Sequence, residues 1–124
     1  MPKNVAKKKI VLREEDLYAP IKSFLESLNY EVKGEIKDCD VLAVKGDVVV
    51  AVELKLVLNI KVLLQAIERE SAVDSVYIAI PKDCTSFNKD SNEIQKLLRR
   101  IGVGLIIVTP GPKGTAVPHL EPSP

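Results

Sequence analysis

Asp40, Glu53 and Lys55 are the residues of this 124-residue chain whose types and spacing could do chemistry. Val41–Val44 and Val48–Leu54 are apolar runs separated by Lys45, Gly46 and Asp47. Runs without polar alternation are typical of strands covered on both faces. With Gly46 and Asp47 as a two-residue loop, glycine first fits a type II′ hairpin turn. Lys45 then pairs with Val48, and continuing outward sets Asp40 across from Glu53 and Asp38 across from Lys55. Side chains alternate faces along a strand, so these four residues project to one side together with Leu42, Val44, Val49 and Ala51. The apolar part of that side should carry a helix. Two directly opposed carboxylates repel one another, and charges at the end of buried strands need partners. Either Lys55 compensates them as a structural salt bridge, or a divalent cation does. Hard cations such as Mg²⁺ take one or two carboxylates with waters and substrate phosphates completing the shell.

The elements that must position these residues are legible around the hairpin. Leu17, Ile21, Phe24, Leu25 and Leu28 recur at helical spacing, which predicts an amphipathic helix over roughly 16–28, with Asp16 as N-cap and Pro20 in the first turn. Tyr30–Lys37 alternates as a strand with one wet side, its Glu31, Lys33, Glu35 and Lys37 outward. Ile60–Ala72 predicts a second helix with Ile60, Leu63, Leu64, Ile67 and Ala72 inward. Val76–Ile80 reads as a buried strand ended by Pro81, Asn92–Ile101 as a helix and Leu105–Val108 as a last strand. The expected class is α/β, a mixed central sheet flanked by helices in the order αβββαβ followed by αβ. Glu31-x-Lys33 and Glu35-x-Lys37 repeat the tripeptide of Glu53 and Lys55 on a solvated face. The buried strand before Glu53, and Asp40 facing it, set the third copy apart.

Asp40, twelve intervening residues, then Glu53-Leu54-Lys55 resembles the signature of the PD-(D/E)XK nuclease superfamily. The element order resembles its restriction-endonuclease-like core. The stretches EEDLYAPIKSFL, YEVKGEIKDCDVLAV, VVVAVELKL and LLQAIERE are similar to an uncharacterised bacterial family of PD-(D/E)XK phosphodiesterases, over about Arg13 to Pro110. The resemblance implies that Asp40 and Glu53 ligate Mg²⁺ or Mn²⁺, with the Leu54 carbonyl as a third ligand. Lys55 would orient or deprotonate the attacking water. A cation there shields the anionic phosphodiester and lowers the pKa of bound water, and an ammonium beside the developing charge adds to that stabilisation. Many members carry a Glu near the start of the first helix; Glu14 is in phase with the inward stripe, though a helix-start acid favoured by the dipole reads the same way. Gln65 matches a glutamine that several branches direct at substrate or the lysine. Arg69, one turn on, could hold a phosphate, and a polar strip on an amphipathic helix is the alternative for both. Where some branches have Tyr, this chain has Arg69, and Cys39 replaces the Pro of the family's name. Nucleic acid is the implied partner, DNA ahead of RNA. Small enzymes of the superfamily often cut as dimers, so a homodimer is an open expectation. A nuclease-fold module without catalysis, binding nucleic acid or a protein, is the competing expectation.

Composition narrows the alternatives. The chain is 46% hydrophobic, 28% charged and +1 in formal charge, which suits one domain and gives no bulk electrostatic argument for nucleic acid. No apolar run is long enough to span a membrane and no signal peptide is visible, so a cytoplasmic protein is expected. Cys39 and Cys84 are too far apart for a metal motif and read as free thiols. His119 is the one histidine, which excludes a His-based zinc site or triad. Gly111–Thr115 lacks phosphate-loop spacing. Three tyrosines and two phenylalanines offer few stacking platforms for single strands, so phosphate-reading contact is easier to support. Residues 1–12 read as a basic leader, 13–110 as the nuclease-like domain, and 111–124, with four prolines after Pro110, as a tail without regular structure.

Overall fold

The β-branched run Val48–Leu54 becomes β3, the strand from which the rest of the sheet is built outward. The computed structural model describes residues 12–36, 39–111 and 113–123, with the backbone alone for residues 35, 36, 39 and 40. A six-stranded mixed sheet runs in chain order: β1 (Glu31–Ile36), β2 (Cys39–Lys45), β3, β4 (Ser75–Pro81), β5 (Gly104–Thr109) and β6 (Thr115–Leu120). β1, β2 and β3 pair antiparallel, β3, β4 and β5 pair parallel, and β6 returns antiparallel to β5. Parallel neighbours need crossovers. α2 (Ile60–Glu70) supplies the first, and a short α3 (Thr85–Lys89) with α4 (Ser91–Ile101) the second. A 3-10 turn (Glu14–Leu17) leads into α1 (Tyr18–Ser27).

The sheet is buried on both faces. Leu17, Ile21 and Leu25 pack on one, against Val41, Ala43, Val50, Val52 and Leu54. Val62 and Ala66 of α2, Phe87 of α3 and Leu98 of α4 cover the other, against Val76, Ile78, Ile80 and Leu105. The hairpin has the expected register, Lys45 opposite Val48 through Val41 opposite Val52. Gly46 alone of the two loop residues has positive φ, +60°, as a type II′ turn requires.

Four expectations are corrected. Asp16 is no N-cap of a long helix: it closes the 3-10 turn, its carboxylate accepting the Arg13 N–H at 2.8 Å. Leu28 lies beyond the end of α1 and is exposed. α2 buries Val62 and Ala66 and leaves Ile60, Leu64 and Ile67 outward, because the face that meets the sheet is the one carrying Arg69 to the buried Glu53. The proline-rich end is not irregular, since 115–120 forms β6. Pro118 is tolerated there because β6 is an edge strand and the β5–β6 register shifts beside its partner Ile106. The basic leader lies outside the described residues apart from Leu12.

The end of the chain is tied down as well. His119 meets Phe87 edge-to-face at 5.8 Å, and the Tyr77 hydroxyl donates to Glu121 Oε1 at 2.8 Å. Burial first, then the hydrogen bond and charge of Glu121, push the Tyr77 phenol above its ordinary 10.0. The folded chain therefore holds this proton where the unfolded chain releases it. The tie is fully present below about pH 10 and is lost as pH rises further. Tyr77→Phe should cost about 1 kcal/mol at neutral pH and flatten the alkaline fall in stability. Urea midpoints at neutral and alkaline pH check this, and an unchanged alkaline slope in the variant would refute it.

Candidate active site

Glu53 is the single buried charged side chain among the described residues, at 1% exposure. The strand alternation that buries Val50, Val52 and Leu54 under α1 turns Glu53 to the α2 face. Arg69 meets it from α2, Nε to Oε2 at 3.1 Å, and keeps 24% of its own side chain exposed. A carboxylate removed from water needs such a partner. α2 can deliver one because Ala66, fully buried one turn earlier, lets the helix lie close to the sheet. The helix start is fixed by Asn59, whose Oδ1 accepts the Val62 N–H at 3.0 Å.

Lys55 follows β3 directly. Its N–H donates to the Ala79 carbonyl at 2.9 Å, which extends the parallel pairing past the strand and holds the half-buried lysine at the sheet rim. Leu54, the residue proposed to lend a carbonyl, turns its side chain into the opposite core. Asp40 and Glu53 are the next residues outward on β2 and β3 beyond the Val41–Val52 pair. The Asp40 side chain lies outside the described residues, as does Asp38. Gln65 is half-buried, one turn before Arg69 on α2.

Glu14 is exposed on the acidic 3-10 turn, which is anchored by the fully buried Leu17 in the α1-side core. The turn therefore sits on the face opposite Glu53 and its arginine. Its neighbour Glu15, with Tyr18, Gly34 and Leu54, lines a pocket of about 390 Å³ at that end of β3. Leu54 places this pocket at the strand end that carries Glu53. Glu14 stands three residues before Leu17, a spacing that a 3-10 turn holds in line, and its side chain is exposed.

The oxygen donors at the strand end suit a hard cation by type. No group of three or more His, Cys, Asp and Glu side chains poised to hold a metal occurs among the described residues. Asp40, next outward on β2 as Glu53 is on β3, is the residue the sequence sets against it as a second carboxylate. What sequence reasoning does not foresee is the partner of Arg69: besides a phosphate or a polar strip, its guanidinium has the Glu53 carboxylate to bind. The signal was available, because a buried acid on β3 predicts a base on the helix that covers it. No protein-family model matches the chain, and no curated protein is significantly similar to it. No helix among the described residues is long and apolar enough to cross a membrane.

Proposed function

We propose that the chain is a metal-dependent phosphodiesterase of the PD-(D/E)XK type, acting in the cytoplasm on nucleic acid, DNA ahead of RNA. The observation that supports this reading is Glu53, a buried carboxylate at the end of a central strand with Lys55 next beyond it. The sheet order of three antiparallel strands followed by a parallel one across α2 agrees with a restriction-endonuclease-like core. Asp40 and Glu53, with the Leu54 carbonyl, would hold Mg²⁺ or Mn²⁺. Such a cation, when bound, shields the phosphodiester and acidifies a water. The chain's own groups do the rest. Arg69 fixes the orientation of the Glu53 carboxylate and is a positioning residue. Lys55 brings an ammonium to the rim, where it neutralises charge developing on the phosphoryl oxygens and orients the attacking water. Gln65, on the same helix, would contact substrate.

A second reading, a nuclease-fold module that binds without cutting, draws on the Arg69–Glu53 pair, because a guanidinium on the carboxylate competes with a cation for it. A cleavage panel separates the two. Plasmid, linear duplex, single-stranded DNA, branched DNA and RNA are incubated with Mg²⁺ or Mn²⁺, with Lys55→Ala and Asp40→Asn purified identically. Metal-dependent cutting that falls by roughly 100-fold or more in both variants is expected. Cutting that survives in both, or none by the wild type on any substrate, rejects the enzyme and leaves the binding module.

A further inference from the structure

α2 is apolar on two sides, and the sheet uses one. Ile60, Leu64 and Ile67 share the outer side at helical spacing and are 68%, 60% and 42% exposed. Val57, just before the helix, is exposed as well. A contiguous apolar stripe on a surface helix costs solubility unless something covers it. The charges beside the stripe say what. Lys61 and Glu68 are seven residues, or two turns, apart on the same long edge of the stripe. Both are exposed, and neither forms an ion pair among the described residues.

We infer that this face of α2 is a dimer interface, on which a second copy of the chain packs its own α2 antiparallel about a two-fold axis near Leu64. In that arrangement Leu64 meets its counterpart, and Ile60 meets Ile67 of the second copy. Lys61 meets Glu68 of the second copy, and the symmetry repeats each of the last two contacts. A parallel two-fold pairing would carry the charged edges to opposite sides of the interface, where neither Lys61 nor Glu68 meets an opposite charge of its counterpart edge. The stripe is thus complementary to itself in one orientation, in shape and in charge. A formal charge of +1 raises little repulsion between two copies. One helix pair is a small interface, which places the dissociation constant in the micromolar range, roughly 10 µM.

Sedimentation velocity on the full chain from about 1 to about 300 µM tests this. The wild type should pass from the 13.6 kDa monomer to twice that mass across the range. Leu64→Glu should remain monomeric throughout while melting at the wild-type temperature, since the side chain it replaces is mostly in solvent. Lys61→Glu should raise the dissociation constant roughly tenfold, and adding Glu68→Lys to it should restore the wild-type value. Three results overturn the proposal: a wild type monomeric at every concentration, which would leave the stripe to a different partner; a Leu64→Glu dimer; or a double charge swap as weak as the single.

Discussion

Glu53→Ala should lower the unfolding free energy by about 2–4 kcal/mol, and replacing both members of the pair, Glu53→Met with Arg69→Met, should restore wild-type stability to within about 1 kcal/mol. Deleting the carboxylate leaves a guanidinium facing the core without its 3.1 Å partner and opens a void beneath α2. Arg69 keeps a quarter of its side chain in water and can turn outward, which holds the cost to the lower part of the range for buried pairs. Two methionines remove both charges, fill the volume and owe the solvent nothing. Urea unfolding of wild type, Glu53→Met, Arg69→Met and the double variant gives the coupling directly, with Glu53→Ala alongside. Cleavage measured on the same proteins makes the comparison informative about function. The proposed enzyme should be abolished by either change at Glu53 whatever the stability. Arg69→Met should lower kcat while substrate binding changes little, as expected of a residue that orients a ligand. A double variant as stable as wild type and fully inactive would mean that folding has no need of the acid, and that chemistry retains it. A double variant as unstable as Glu53→Ala would instead make the pair structural and favour the binding module.

The parts of this architecture that the sequence made legible are those fixed by local rules. Gly46 before Asp47 sets a turn, the turn sets a register, and the register carries Glu53 to the strand end and the covered face. The parts that were not legible depend on which of two surfaces a neighbour selects. α2 has Ile60, Leu64 and Ile67 on one side and Val62 and Ala66 on the other, and the larger stripe looked inward because it is the more hydrophobic. The smaller one won: its alanine permits a close approach and its arginine answers a buried acid. β6 was hidden for another reason. A count of prolines argues against a strand, but the argument holds only where both edges of the strand are bonded, and Pro118 sits on a strand with a single neighbour. The acidic stretch before Leu17 lies where a helix start is expected, but it winds as a 3-10 turn rather than as a first α-helical turn.

Gly104→Ala should cost about 2–3 kcal/mol and release the end of the chain, although alanine fits the backbone conformation there. Gly104 is not among the glycines with positive φ, so any penalty is one of space. A Cβ at this position would lie 2.7 Å from Tyr77 Cδ2, 2.8 Å from the Leu120 carbonyl oxygen and 2.8 Å from Pro122 Cδ. A flexible side chain can step aside, but the Leu120 carbonyl belongs to β6 and cannot withdraw without opening the β5–β6 pairing. The clash thus falls on the strand least held by neighbours, and the Tyr77–Glu121 bond and the His119–Phe87 contact should go with it. Hydrogen exchange should show loss of protection over 115–120, with β2, β3 and β4 still protected. Gly46→Ala is the control of opposite kind. No atom lies within 4 Å of its Cβ, yet its φ of +60° disfavours any side chain, so about 1 kcal/mol is expected from conformation alone. If Gly104→Ala proved as mild as Gly46→Ala, with 115–120 still protected, the close approach that seats β6 on the sheet would be refuted. If it proves the costlier of the two, the stretch that reads as a tail is part of the fold.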